Sequence, residues 1–234
     1  MYYRYGYGID GTYLLIILAL ILTMAAQAYM RSIFSKYSRI RNMQGMTGRQ
    51  IAQRILASEG LNQVQVLAVG GNLTDHYDPR SKTVSLSQSV YDSTSLSAAG
   101  VAAHECGHAI QDAKGYAPLG IRSSLVPVAN FGANLSWPIF IVGLIFSLQI
   151  LIQAGILLYC LALLFQLVTL PVEINASRRA LQKLESLGLL GTEENSGARK
   201  VLTAAALTYV AAAATSLLYL LRMILLSGGR RRND

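Results

Sequence analysis

Residues 125–172 read LVPVANFGANLSWPIFIVGLIFSLQILIQAGILLYCLALLFQLVTLPV, without one Asp, Glu, Lys or Arg. The hydrocarbon core of a bilayer is about 30 Å thick and takes about 20 apolar residues of helix to cross. The run is long enough for two crossings. Lipid offers an unpaired backbone amide no partner, so helix is the conformation expected of it. Pro127 and Pro138 allow kinks in the first crossing, and residues 147–155, with Gln149 and Gln153, read as the turn between the two. Pro171 and Glu173 mark the return, so the hairpin leaves and re-enters on one side of the membrane.

Two further stretches extend this reading outward. Residues 9–30 carry no charge after Asp10 and do not end in a small-residue cleavage site, as a removed signal peptide would; they read as a retained anchor. Tyr2, Tyr3, Tyr5, Tyr7 and Tyr13 around its start suit an interfacial aromatic belt. Residues 201–227 form a fourth apolar stretch, rich in alanine, and small residues favour close packing of membrane helices. Arg222 near its far end can snorkel. The charged fraction of 14% is well below the quarter or so of a soluble domain, and 53% of the chain is hydrophobic.

A net charge of +8 admits nucleic acid or an anionic membrane as partner. The cations flank apolar runs and no nucleic-acid motif occurs, which favours the membrane. Ten of the 20 Lys and Arg residues fall within 31–122 and five within 178–200, so the positive-inside rule makes those segments cytoplasmic and the N-terminus external. Four full crossings would leave Arg230, Arg231 and Arg232 outside, against that rule, unless the last stretch stops short. A channel or transporter would need ionisable groups along its spans, and 125–172 offers neutral side chains alone.

The segment between the first and second spans has the look of a small folded region. Thr47 and Gln50 form a capping box ahead of Ile51, Ile55 and Leu56, with Gly60 as the stop. Residues 64–69 read as a strand and 70–72 as a turn. Residues 73–77 and 82–86 flank Asp78-Pro79-Arg80-Ser81 as a β-hairpin. The 82–86 segment would then be an edge strand that an extended peptide could join. Ser95 or Ser97 caps a helix that runs to Lys114, with Gly115 beyond it.

That helix carries Val101-Ala102-Ala103-His104-Glu105-Cys106-Gly107-His108-Ala109, and with it two of the three histidines of the chain. Residues four apart on a helix share a face, so His104 and His108 can reach one metal ion, and Glu105 stands beside them. Zinc hydrolases use three protein ligands and keep a position for water, while a neighbouring carboxylate handles the proton. Cys106 points off the histidine face and is not counted as a ligand. The two cysteines, Cys106 and Cys160, lie in unlike contexts and do not suggest a disulfide. Third-ligand candidates are His76, Asp75, Asp78, Asp112, Glu173 and Glu185. Glu173 is preferred, because a carboxylate at the end of an apolar helix is costly without a partner such as a metal. Gln111 and Lys114 occupy the positions where an extended H-E-x-x-H-x-x-G-x-x-H motif has its glycine and third histidine.

Together with Leu73-Thr74-Asp75-His76-Tyr77-Asp78-Pro79 and Pro171-Val172-Glu173-Ile174-Asn175-Ala176-Ser177-Arg178-Arg179, the histidine motif resembles the YugP-type bacterial membrane zinc metallopeptidases over nearly the whole chain. These are similar in plan to the gluzincins of the HtpX and CAAX-prenyl endopeptidase group. The resemblance implies Zn2+ held by His104, His108 and Glu173, with Glu105 as general base and acid. The wider group has an aspartate, orienting a ligand histidine, where this chain has Ser177, so Asp112 or Asn175 becomes a candidate for that task. His76 and Arg178 are candidates for contact with substrate or with the oxyanion.

The expected fold is a mainly α membrane protein with about four transmembrane helices and a small α+β gluzincin-like zinc-binding domain containing one β-hairpin. Its parts are an anchor (1–30), a cytoplasmic catalytic region (31–122), a transmembrane hairpin (123–172), a third-ligand helix and loop (173–200), and a last transmembrane helix with a basic tail (201–234). The expected function is zinc-dependent endopeptidase action through a metal-activated water, at the cytoplasmic face of the bacterial cell membrane. The expected partners are a protein or peptide substrate and the lipid bilayer, without nucleic acid and with room for a membrane-protein partner or oligomer. The alternative is a non-catalytic membrane scaffold that contains zinc.

Overall fold

A computed structural model describes residues 11–228; the tyrosines before Gly11 and the basic tail after Gly228 lie outside the described residues. The elements in chain order are α1 (Tyr13–Ser38), α2 (Gly48–Ser58), β1 (Gln65–Val69), β2 (His76–Asp78), β3 (Thr83–Ser87), α3 (Gln88–Tyr91), α4 (Leu96–Ala113), α5 (Ala117–Ile145), α6 (Gln149–Ser186) and α7 (Thr192–Gly228). Helices α1, α5, α6 and α7 are each long and apolar enough to cross a bilayer. The architecture is the expected one: a mainly α membrane protein with a small sheet.

The long helices differ from the sequence reading at their ends. Helix α1 runs on past Met30 through Arg31 and Lys36, because cations at a C-terminus favour the helix dipole. Helix α6 passes through Pro171 to Ser186 without a break. Proline removes one backbone donor, and a helix of this length tolerates the loss. The turn before α6 is shorter than 147–155: it centres on Ser147, at φ 54, while Gln149, Gln153 and Gly155 are already helical. The loop expected within 173–200 is short, since α7 starts at Thr192 with Glu193 and Glu194 in its first turn, where acidic groups suit the dipole.

Two compact units divide the chain. The described residues of the first are 11–25, 125–167 and 210–228. Its core gathers Phe140, Ile152, Tyr159 and Met223, with Trp137 and Tyr219 packed on them. Glycines let α5 and α6 touch backbone to backbone: a Cβ on Gly132 would lie 2.6 Å from the Leu158 carbonyl oxygen, and one on Gly143 2.7 Å from the Ile152 nitrogen. Helices α1 and α7 meet through Thr23 and Thr215, whose hydroxyl oxygens are 3.1 Å apart. Arg222 does not stand alone in apolar surroundings. It donates to Thr12 and lies over the rings of Tyr13 and Trp137, at 5.1 and 5.6 Å from their centroids.

The second unit comprises residues 26–124 and 168–209. Helix α2 has the predicted capping box: the Gln50 amide N–H donates to Thr47 Oγ1 and the Thr47 amide to Gln50 Oε1. Its Ile51, Ile55 and Leu56 enter a core shared with Val84, Leu86, Ala102, Cys106 and Ile110. The sheet keeps the expected hairpin, β2 against β3, and adds β1 to its other side. Its order is β1-β3-β2, with β1 parallel and β2 antiparallel to β3. Strand β3 is therefore central and buried throughout rather than an edge, so no peptide can join it. The small hydroxyl residues of β3 are covered as well as Val84 and Leu86. Ser87 shows how: its amide and hydroxyl donate to the Asp75 carboxylate at 2.8 and 3.1 Å.

Candidate metal centre

Helix α4 is capped by Ser95 and ends at Ala113, with Gly115 just beyond it at a φ of +60 that suits glycine. Small residues on this helix let its neighbours approach. Gly107, between the two histidines, faces α6 so closely that a Cβ there would sit 2.5 Å from the Ala176 carbonyl oxygen. That approach carries Glu173, one turn earlier on α6, to the histidines. His104, His108 and Glu173 offer ligand atoms that all lie within 4.8 Å of one another. Glu173 Oε2 is 3.1 Å from His104 Nε2 and 3.6 Å from His108 Nε2. The rings of the two histidines stand edge to face, with centroids 4.7 Å apart.

The hydrogen bonds behind His108 determine which of its nitrogens is free. Gln111 is fully buried, and its Nε2 donates to the Val172 carbonyl at 2.8 Å. A carbonyl only accepts, so the amide orientation is fixed and Oε1 faces His108 Nδ1 at 3.0 Å. Nδ1 must then donate, and the neutral ring presents a lone pair at Nε2 toward a carboxylate oxygen. Two acceptors so placed repel unless a cation lies between them. Burial opposes protonation of His108, but its hydrogen bond to Glu173 and the charges of Glu105 and Glu173 outweigh burial and raise its pKa. A bound metal ion answers the same demand for positive charge. Two imidazole nitrogens and a carboxylate oxygen are a donor set suited to zinc.

Behind His104 stands Ser177, with Oγ 3.1 Å from Nδ1. A hydroxyl can donate or accept, so it orients the ring without dictating the tautomer. The other candidates for that orienting task fall elsewhere. Asp112 accepts from Tyr77 Oη and Lys82 Nζ, both at 2.6 Å, and so fastens the hairpin to α4. Burial works against its ionised form, yet these two donors hold its pKa below the usual carboxylate range. Asn175 acts one step back: its Oδ1 accepts from Gln111 Nε2 at 3.0 Å and from Arg179 Nε at 2.8 Å. His76 Nδ1 lies 2.9 Å from the Thr74 carbonyl oxygen, and the residue faces the cavity beside Glu105. Arg178 lines a separate surface hollow with Glu185 and Arg199. Cys106 points away into the core, toward the Ala52 carbonyl at 3.6 Å, where burial pushes its thiol pKa up.

Three residues near the centre were not picked out from the sequence as contributors. Gln111 had a signal, since it lies three residues after His108 on the same helix face. Arg122 and Tyr209 had none. Arg122 Nη2 is 3.6 Å from Glu173 Oε1, and its Nε is buried without a hydrogen-bond partner among the described residues. Tyr209 of α7 also reaches Glu173. Two cavities open beside these groups. One holds His76, Tyr77, Arg122 and Ser123, and the other is mostly apolar; His104, Glu105, Glu173 and Tyr209 line both.

Comparison with known proteins gives the family of the chain. The family described as "Putative neutral zinc metallopeptidase" matches residues 12–228. The protein named "Putative membrane protease YugP" of Bacillus subtilis (strain 168) is 46% identical over 195 residues, which cover 83% of this chain and 87% of that one. No solved structure matches the chain.

Proposed function

Since the chain belongs to the putative neutral zinc metallopeptidase family, we propose that it is a membrane endopeptidase with zinc held by His104, His108 and Glu173. One observation carries the reading: the three ligand atoms lie within 4.8 Å of one another, and Glu105 lines the same two cavities that they do. When bound, zinc lowers the pKa of water to about 7 and polarises the carbonyl under attack. The chain's own residues do the rest. Glu105 takes a proton from the attacking water and passes it to the leaving amine, so it alternates between base and acid. Gln111 and Ser177 keep the Nε2 atoms of the histidines turned to the centre. Arg122 holds Glu173 from its far oxygen and adds positive charge to the cavity in which the carbonyl oxygen becomes negative.

The catalytic region in this proposal is made of residues 31–122 together with 173–200, between an anchor at 1–30, a hairpin at 123–172 and a last crossing within 201–234. It faces the cytoplasm, as the distribution of Lys and Arg favours. A zinc-bearing scaffold would need a closed site with a fourth protein ligand, and the cluster comprises three residues among the described ones.

The test is a pair of substitutions in the full chain. Glu105→Gln should keep its zinc and lose hydrolysis of a fluorogenic peptide by about 100-fold or more. Glu173→Ala should lose the metal, read by elemental analysis. Unchanged turnover in the first variant overturns the role of Glu105, and full zinc occupancy in the second moves the third ligand elsewhere.

A further inference from the structure

The two cavities that meet at Glu105 differ in chemistry. On one side the walls are His76, Tyr77, Arg122 and Ser123; on the other they are Phe34 of α1, Val101 of α4, and Leu202, Ala205 and Ala206 of α7. The apolar cavity has a volume of about 150 Å³. Leu73 lines it from the loop before β2 in a left-handed conformation, φ 56, that costs a side-chain-bearing residue free energy. The loop is held there at both ends: Thr74 Oγ1 donates to the Gly70 carbonyl at 2.9 Å, and Asp75 accepts from Ser87. Strain that neighbouring bonds over-determine, at the mouth of a cavity shared with a catalytic carboxylate, points to a part in binding.

We propose that this apolar cavity receives a large apolar side chain of the substrate, on the residue next to the bond that is cut. The inference rests on the endopeptidase reading and adds the substrate class to it: peptides in which Leu, Ile, Met or Phe adjoins the scissile bond on one fixed side. The occupant is the chain being cut because the cavity is continuous with Glu105, His104 and Glu173, so a side chain seated in it brings its own peptide bond to them. Burial from water supplies the affinity. Ala205 and Ala206 leave the room that a bulky group would fill. The cavity across Glu105 is walled mainly by hydrogen-bonding groups, so the preference is one-sided.

The experiment digests a randomised peptide library with the zinc-loaded full chain in detergent and reads the cleavage sites by mass spectrometry, with Glu105→Gln as background. The expected result is enrichment of large apolar residues at one position adjoining the cut. In the Ala205→Phe variant, the ratio of kcat/KM for peptides with Leu or Phe there to kcat/KM for those with Ala should fall at least about 10-fold. A binding measurement guards against a filled variant that does not fold. A peptide carrying photoreactive leucine, irradiated with the Glu105→Gln protein, should attach to Phe34, Leu73 or Leu202. Cleavage without apolar enrichment, or attachment confined to His76, Tyr77 and Pro79, overturns the proposal and leaves the protease standing. Absence of any cleavage that depends on Glu105 overturns both.

Discussion

Gln111 has one way to satisfy its amide, and that makes it as specific a part of the centre as a ligand. Its Nε2 is spoken for by Val172 and Asn175, so Oε1 is left for His108. Gln111→Leu removes the acceptor and allows His108 to place its proton on Nε2, where the metal should be. Zinc affinity should fall about 10- to 100-fold, measured by competition with a chromophoric chelator. Ser177→Ala should cost less, because the serine hydroxyl does not dictate the tautomer of His104. Equal losses in the two variants would refute this division of labour. Only part of it is written locally. The spacing of His104, Glu105 and His108 shows in the sequence because one helix turn decides it. Arg122 and Tyr209 reach Glu173 from other helices, and no local pattern announces a contact between segments so far apart.

At the scale of elements, the site depends on how near α6 comes to α4. Gly107 sets that distance, since the atom its Cβ would meet is backbone and cannot rotate aside. Gly107→Ala should push α6 outward, move Glu173 from the histidines, and lower zinc affinity by about 10-fold or more even where the fold survives. Retention of wild-type affinity would show that α6 can shift without consequence for the centre. A second tie binds the far ends of the same helices. Glu59, the C-cap of α2, pairs with Lys114 at 2.9 Å and also with Lys183 of α6. Hydrogen bonds from Lys183 and Lys114 hold its pKa below the usual carboxylate value, against the effect of burial. A depressed folded-state pKa stabilises the fold above the unfolded pKa of about 4.3, and the gain is lost as pH falls through the folded value. Glu59→Gln should therefore melt about 2–4 °C below wild type at pH 7, with the gap closing below pH 4; a gap independent of pH would argue against the ion pair. The caps of α2 and α4 were legible because each is a short-range bond between neighbours in sequence. The central place of β3 was not, since alternating residues fit an edge strand and a covered one equally.

At the scale of the whole molecule, the question is which side of the membrane receives the substrate. Residues 31–122 and 178–200 hold fifteen of the 20 Lys and Arg residues, ten and five respectively, and charges that close to the spans resist translocation. The basic tail, Arg230, Arg231 and Arg232, argues the other way. Labelling decides between them. Asn62, exposed between α2 and β1, and Gln149, exposed at the start of α6, are replaced singly by cysteine. The unsubstituted chain sets the background, with Cys106 buried and Cys160 within an apolar helix. In intact protoplasts a membrane-impermeant maleimide should label Gln149→Cys and spare Asn62→Cys; after permeabilisation it should label both. Labelling of Asn62→Cys in intact protoplasts would put the metal centre outside. The peptides it cuts would then have to be sought among external rather than cytoplasmic chains, whatever side chain the apolar cavity prefers.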